Sequence, residues 1–395
     1  MGTTIRRIEK YVKKLAAIAT LSNEEEGLAQ DCVVGISKTG SCIVSDIARA
    51  TKGGCAPLNE DTRPFYDGLA SKKSRLDGLR ESWLRMVATV ANQMPFVAVD
   101  FSDIFKIHGK VFENMAIVRD ASDKEKRLGP GFNTIQIEAT DHLHRTLPLW
   151  HQVFSTLCPE YTGWYDIVGR AMATVLQHIG KHAVWLFDRG FDAGDFYIIL
   201  STLGIRRWVV RQLQTRYIIL ETGANMLMSE LAAGLHKPFD TKVPYVDKKT
   251  HKVRYWPVSF NFVPVRLPDM PGRFGMIVIT GLREDMVLLA NFKLKSPKQA
   301  ERIVLAYLRR WGVEEGVRCW KQVTGVEGFR VTNWNSIRRL TFFSMLAYGI
   351  QALWLLTRPA MAKRLIARVK QFIENVLFKN YRLWAGVKDA LLKGA

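Results

Sequence analysis

Cysteine is scarce: Cys32, Cys42, Cys55, Cys158 and Cys319 are odd in number, and no two are spaced as metal-ligand pairs. That pattern argues against a disulfide framework or a zinc ribbon and predicts reduced thiols. A long apolar run is also missing. The longest stretch, Phe342 to Leu356, contains Gln351 and falls short of the roughly 20 residues that cross a bilayer, so it predicts a buried helix. The start, Met1-Gly-Thr-Thr-Ile-Arg-Arg, lacks the apolar segment of a signal peptide. Acidic residues are under-represented, 37 Asp and Glu against 57 Lys and Arg, for a net charge of +20. Such a balance fits poorly with an enzyme for small neutral substrates. It favours a polyanionic partner, with nucleic acid first, because the charge is spread along the chain.

The chain is rich in other things. Its 395 residues are 48% hydrophobic, with 11 Trp and 20 Phe, enough for two or three domains and one large core. A structural basic protein rarely carries so many aromatics. Residues 1–90 read as helical and basic, with Ile5, Ile8, Tyr11, Val12 and Leu15 at helical spacing. Within them, Ile36 to Lys52 reads either as a small helix-turn-helix, with Gly40 in the turn and Ser45 as cap, or as a plain helical hairpin. Gly53 to Ser82 has the composition of a linker.

The pattern then changes to strands. Pro95-Phe-Val-Ala-Val-Asp-Phe101 is a short, nearly continuous apolar run ending in an acid, and His182-Ala-Val-Trp-Leu-Phe-Asp188 is a second that again ends in one, as expected of buried central strands. Between them Lys110 to Val118 and Phe132 to Thr140 read as strands and Glu160 to Ile179 as a helix. Asp192 to Leu203 reads as a further helix and Arg206 to Arg211 as a last core strand. Residues 212–296 read as a β-rich insertion. Ser296 and Pro297 then open a helix through Lys321, and Ser336 to Leu356 and Lys363 to Phe378 read as further helices. The expected fold is α/β, of the α+β kind: an RNase H-like mixed sheet with helices on both faces, a β-rich insertion, an amino-terminal helical domain and carboxy-terminal helices. The corresponding division is 1–90, 91–211, 212–296, 297–330 and 331–395.

Chemistry concentrates on the helix after the insertion. At about 100° per residue, Tyr307, Arg310, Glu314 and Lys321 lie at roughly 0°, −60°, −20° and −40°. One narrow face thus carries a phenol, a guanidinium, a carboxylate and an ammonium, while Glu315 points elsewhere. Gly312 and Gly316 each cost about 1 kcal/mol inside a helix, which close approach of another chain or ligand explains. Asp100, Asp188 and Glu314 are placed to converge at one edge of the sheet. Gathered carboxylates repel unless cations neutralise them, and oxygen ligands of this kind suit magnesium and in-line displacement at phosphorus.

These residues carry a resemblance. Tyr307, Arg310, Glu314 and Lys321 match a Tyr-x2-Arg-x3-Glu-x6-Lys signature at every position, and the chain resembles the bacterial insertion-sequence DDE transposases marked by it (the YREK group). Asp188-Arg-Gly-Phe resembles the group's segment around its second acid, and Val99-Asp-Phe-Ser-Asp-Ile the segment around its first, where the group often has Asp or Thr in place of Phe101. The first acid is accordingly Asp100 or Asp103, with Asp100 preferred because it ends the apolar run.

The resemblance implies a transposase that cuts its element's ends and joins them to target DNA. Asp100, Asp188 and Glu314 would be its catalytic metal ligands, holding two Mg2+ ions that Mn2+ can replace. Tyr307, Arg310 and Lys321 would contact DNA phosphates, and a base flipped from a hairpin end would stack on Trp256 or Trp208. His108, Lys110 and Glu113 are further candidates for the cleft. Double-stranded DNA (terminal inverted repeats and target) would be the partner, a homodimer the working form, no membrane would be involved, and the bacterial cytoplasm and nucleoid would be the location. An inactive DNA-binding regulator and a nuclease without strand transfer are the other readings.

Overall fold

The computed structural model describes residues 2–53, 57–106, 108–119, 125, 127–142, 145–246, 253–282 and 284–358. Five helices come first: α1 (Gly2–Ile18), α2 (Asn23–Thr39), α3 (Val44–Thr51), α4 (Leu58–Ala70) and α5 (Leu79–Ala91). The segment expected to be a linker is largely α4 and α5. In α4, Leu58, Thr62, Phe65 and Leu69 recur on one face, and the last three are buried. Their packing outweighs the hydrogen bond forfeited at Pro64. Gly40 does make the turn after α2, at φ 64°. α3, however, has Ile43 at its N-cap position and no side-chain cap; Ser41 braces the turn before it, its hydroxyl accepting from the Ile43 N–H at 3.1 Å and donating to Asp46 at 2.8 Å. Ser45 lies inside the helix.

The sheet follows. Its strands are β1 (Phe96–Phe105), β2 (Ala116–Arg119), β3 (Leu128–Thr140) and β4 (Thr146–Phe154), then α6 (Trp164–Leu176), β5 (Val184–Phe187), α7 (Gly194–Thr202) and β6 (Trp208–Arg211). β3 lies antiparallel between β1 and β4, while β5 runs parallel to β1 and β6 parallel to β5. Three antiparallel strands followed by two parallel ones, with β1 at the centre, is the RNase H-like arrangement. Two local expectations fail. Only Ala116–Arg119 of the run from Lys110 is strand, and β4 goes unrecognised because Pro148 reads as a strand breaker. Pro148 sits beside a bulge, where the register shifts between Ile137 and Glu138, so its missing N–H interrupts little of the ladder.

The remaining strands are β7 (Tyr217–Leu220), β8 (Asn225–Leu227), β9 (Phe239–Val246), β10 (Val253–Leu267), β11 (Met270–Thr280) and β12 (Met286–Ala290), with α8 (Met228–Gly234) after β8. They extend the core sheet instead of forming a separate one: β12 pairs with β6, β11 with β12 and β10 with β11. α9 (Pro297–Arg309), α10 (Trp311–Thr324) and α11 (Trp334–Thr357) complete the described chain. The helix expected over Lys363 to Phe378 lies outside the described residues.

Both faces of the sheet are covered. On one, Ala98, Leu186, Val209 and Ile277 pack against Ala300, Ile303 and Tyr307 of α9. On the other, Val99, Phe187 and Val210 meet Phe196 and Leu200 of α7. α11 is long and apolar enough to cross a membrane, but 67% of its most apolar window is buried inside the protein. It joins the amino-terminal helices to the sheet: Gly349 lies against the indole of Trp83, whose Nε1 donates to the Pro148 carbonyl at 2.8 Å. The turn after α2 also abuts the end of α10, where a Cβ on Gly325 would meet the Gly40 carbonyl at 2.5 Å. The helix that carries Glu314 is therefore held at its far end by the amino-terminal region.

Candidate active site

Asp100 is provided by β1, Asp188 follows the last residue of β5, and Glu314 stands in the first turn of α10. The expected single helix through Lys321 is divided at Arg310, whose N–H is shared between the Ala306 and Tyr307 carbonyls. Ser296 caps its start as expected, accepting from the Gln299 N–H, with Pro297 in the first turn. The division leaves the key side chains on one side. Arg310 reaches Asp100 at 3.1 Å and Glu314 at 2.9 Å, and lies 3.6 Å from Asp188. The three acids singled out in the sequence thus gather round one guanidinium.

The Arg310 side chain is only 7% exposed. Burial opposes its charge, yet Asp100 first, then Tyr307, Asp188 and Glu314, hold its pKa above the ordinary arginine range. The acids gain less from the arrangement. Burial pushes Glu314 up to about 7, with Arg310 pulling down and Asp100 and Asp188 pushing further up. Asp100 is likewise raised, by burial and then by Asp188, against the pull of Arg310. One positive charge among three carboxylates leaves them under-neutralised, so the donor set fits a divalent cation. Among the described residues no three such side chains already form a chelating cage; the guanidinium occupies the space between these.

Other expected site residues have different places. Tyr307 is buried, and its hydroxyl donates to the Phe187 carbonyl at 3.2 Å. It ties α9 to the end of β5 next to Asp188 and is not presented to a phosphate. Lys321 lies 3.1 Å from Glu327 and 3.8 Å from Asp103. Asp103 therefore faces Lys321, while Asp100 faces the other acids. Phe101, which stands where the group often has Asp or Thr, stacks on Phe191 of the Asp188-Arg-Gly-Phe segment, with centroids 4.9 Å apart. Trp208 is 4% exposed and stacked on Tyr197, which removes it as a platform for a base. Trp256 is 47% exposed, and its Nε1 donates to the Gly281 carbonyl. Glu113 caps α11, accepting from the Trp334 N–H at 2.6 Å. His108 and Lys110 are exposed in the loop before β2.

Sequence reasoning passed over Glu138. It pairs across the ladder with Ala98, two residues before Asp100 on β1. A Cβ on Gly316 would lie 3.1 Å from its Oε2, so the close approach of this carboxyl accounts for the glycine at 316. Gln136, Glu138, His151 and Tyr348 help to line a small cavity of about 10 Å3, room for about one water. Among the described residues, Gln136 Oε1, Glu138 Oε2 and both ring nitrogens of His151 have no hydrogen-bond partner. Burial pushes Glu138 up to about 8, with Asp100 adding to the rise, and pushes His151 down to about 3. The signal was available in Thr134-Ile-Gln-Ile-Glu-Ala-Thr140, where Gln136 and Glu138 alternate with apolar residues inside a strand buried on both faces.

That burial makes stability depend on pH. Because the folded pKa is raised, the stability contributed by neutral Glu138 is full below its unfolded value near 4.5 and is lost as pH rises through about 8. Glu138→Gln removes the titration and supplies an amide that Gln136 Oε1 or His151 can accept from. The variant should match the parent at pH 4 and exceed it above pH 8 by roughly 3–5 kcal/mol, read from denaturant melts. A pH-independent difference would show that Glu138 is not held neutral.

No curated protein matches the chain. Among solved structures it is similar to the piggyBac transposase synaptic complex with hairpin DNA, at 11% identity and a TM-score of 0.41, over 91% of this chain and 79% of that one. That likeness is too distant to bear on the site. The family model described as the transposase DDE domain matches residues 168–350. The matched segment contains Asp188, Tyr307, Arg310, Glu314 and Lys321; Asp100 lies before it. Just under half of the chain thus matches a transposase DDE domain, and the match supports a DDE transposase.

Proposed function

We propose that the chain is a divalent-metal-dependent DNA transposase of the YREK group, which cuts the ends of its own element and joins them to target DNA. The observation that carries this reading is the meeting of Asp100, Asp188 and Glu314 around Arg310. Asp100, Asp188 and Glu314 would hold two Mg2+ ions or Mn2+ in their place. Bound there, such ions supply Lewis acidity to activate water or a 3′-hydroxyl and to stabilise the leaving oxygen. The protein's own residues do the positioning. Tyr307 fixes the helix against Phe187, the last residue of β5 before Asp188, and Glu138 backs the α10 backbone two residues beyond Glu314.

The helical region 1–90 would recognise the element end, and 212–296 would offer Trp256 as the stacking surface for a displaced base. Two copies of the chain would bring two ends together. With magnesium, a linear duplex carrying the element's ends and a target plasmid, purified protein should cut at the ends and join them, and Asp188→Ala should do neither. Release without joining would make the chain a nuclease. Binding without cutting in either Mg2+ or Mn2+ would make it a regulator.

A further inference from the structure

At the opposite ends of the two strands that carry Asp100 and Asp188 lies a groove of about 500 Å3, unrelated to the carboxylates. Its floor is apolar, with Phe96, Val184 and Ile303. Its ionisable wall residues are of one kind: Arg207, Lys298, Arg302, His142 and His182, without an acid among them. Lys298 and Arg302 are in no ion pair among the described residues. Arg207 is held in place by the Phe292 ring 4.7 Å from its guanidinium carbon, and His142 rests edge-on against Phe96 at 5.3 Å. The nearest acids in sequence are already engaged: Glu301 accepts from the Thr241 hydroxyl at 2.7 Å, and Asp141 pairs with Arg145 at 2.6 Å. α9, a helix of 13 residues capped by Ser296, starts in the groove wall and adds the positive end of its dipole.

Arg207 beside β6, with Lys298 and Arg302 from α9, places cations from two separate elements over an apolar floor, which suits a ligand with spaced negative charges, as a nucleic-acid backbone has. Asp100 lies four positions beyond Phe96 on β1, about 13 Å along the strand, so one phosphate cannot serve both places. We propose that this groove is a second DNA contact, gripping backbone phosphates of a duplex segment other than the one processed at the carboxylates. The proposal rests on the reading of the chain as a DNA-processing enzyme and deepens it. The carboxylate end handles the scissile phosphate, and the cationic end anchors DNA without chemistry.

The test uses the full chain and a short duplex of arbitrary sequence. Saturating duplex should protect Lys298 from acetylation several-fold, read by mass spectrometry as the ratio of its modification without and with duplex. In Arg207→Ala/Lys298→Ala/Arg302→Ala the slope of log affinity against log salt should fall by roughly 2.7, about 0.9 for each phosphate no longer neutralised, with single-turnover cutting at saturating DNA unchanged. Unprotected Lys298, or an unchanged slope in a variant with the parent's circular dichroism, would overturn the proposal. If the variant misfolds, the footprint on the unaltered chain decides alone. Equal protection by millimolar inorganic phosphate, with duplex affinity unaltered in the variant, would also overturn it and leave a pocket for free phosphate. A chain that fails to cut ends but shows the footprint and the slope change keeps the groove and loses the transposase reading; one that cuts but shows neither loses the groove.

Discussion

Glu314→Gln should lose cutting of the element end by about three orders of magnitude, some 4 kcal/mol of barrier, while end affinity stays within about three-fold. The asymmetry comes from the geometry. The amide oxygen of Gln still accepts from the Arg310 nitrogen now 2.9 Å from Glu314, so the fold around the site survives. What goes is the negative charge that a divalent cation needs. The pH dependence gives an independent readout. Glu314 is pushed up to about 7 by burial and by its neighbouring acids, and only its ionised form is a good ligand. At subsaturating magnesium the parent should therefore lose activity as pH falls through about 7, and more magnesium should move that limb to lower pH by competing with the proton. Parent-like cutting by Glu314→Gln would remove the metal-binding role. An acidic limb indifferent to magnesium would show that the titration belongs to another group.

The acids and the central strands were legible in the sequence because both signals are local. An apolar run of β5 type, Val184 to Phe187, is buried at every position, and the acid after it can point only to the sheet edge. The helical wheel from Tyr307 to Glu314 survives the interruption at Arg310 because that residue keeps right-handed helical angles, φ −52° and ψ −26°. What could not be read was what each side chain would meet. Tyr307 has the spacing of a DNA contact, but a strand carbonyl 120 residues away takes its hydroxyl. Lys321 has the spacing too, and meets Glu327. Trp208 and Trp256 look alike as residues; only the sheet order, which places β6 in the middle and β10 towards the edge, separates the buried one from the exposed one. β4 and α4 were hidden by Pro148 and Pro64, since a proline announces its local cost and not the packing that offsets it.

Arg310→Ala should destabilise the metal-free protein by about 3 kcal/mol at pH 8. That is the low end for an ion pair broken in a protein interior, because Asp188 and Glu314 keep side-chain exposures of 39% and 41% and are partly screened by solvent. The loss should fade towards pH 4. Asp100 and Glu314 already have raised pKa values, and without the guanidinium they take up protons more readily still, so the variant's deficit is full only where the acids must ionise. Magnesium provides the second readout. In the parent a divalent cation competes with Arg310 for the same carboxylates; in the variant it does not, so saturating magnesium should raise the variant's melting temperature more than the parent's. Arg310→Lys, which keeps the charge but not the fork, should fall between the two. An alanine variant as stable as the parent at pH 8, or one that gains nothing extra from magnesium, would show that the guanidinium does not stand in for a cation. Cutting should remain roughly 10- to 150-fold low even when magnesium restores stability, the worth of one charge-assisted hydrogen bond. On the proposed reading Arg310, once released from the acids, would take a DNA phosphate, and full recovery of cutting would confine it to holding the three acids together.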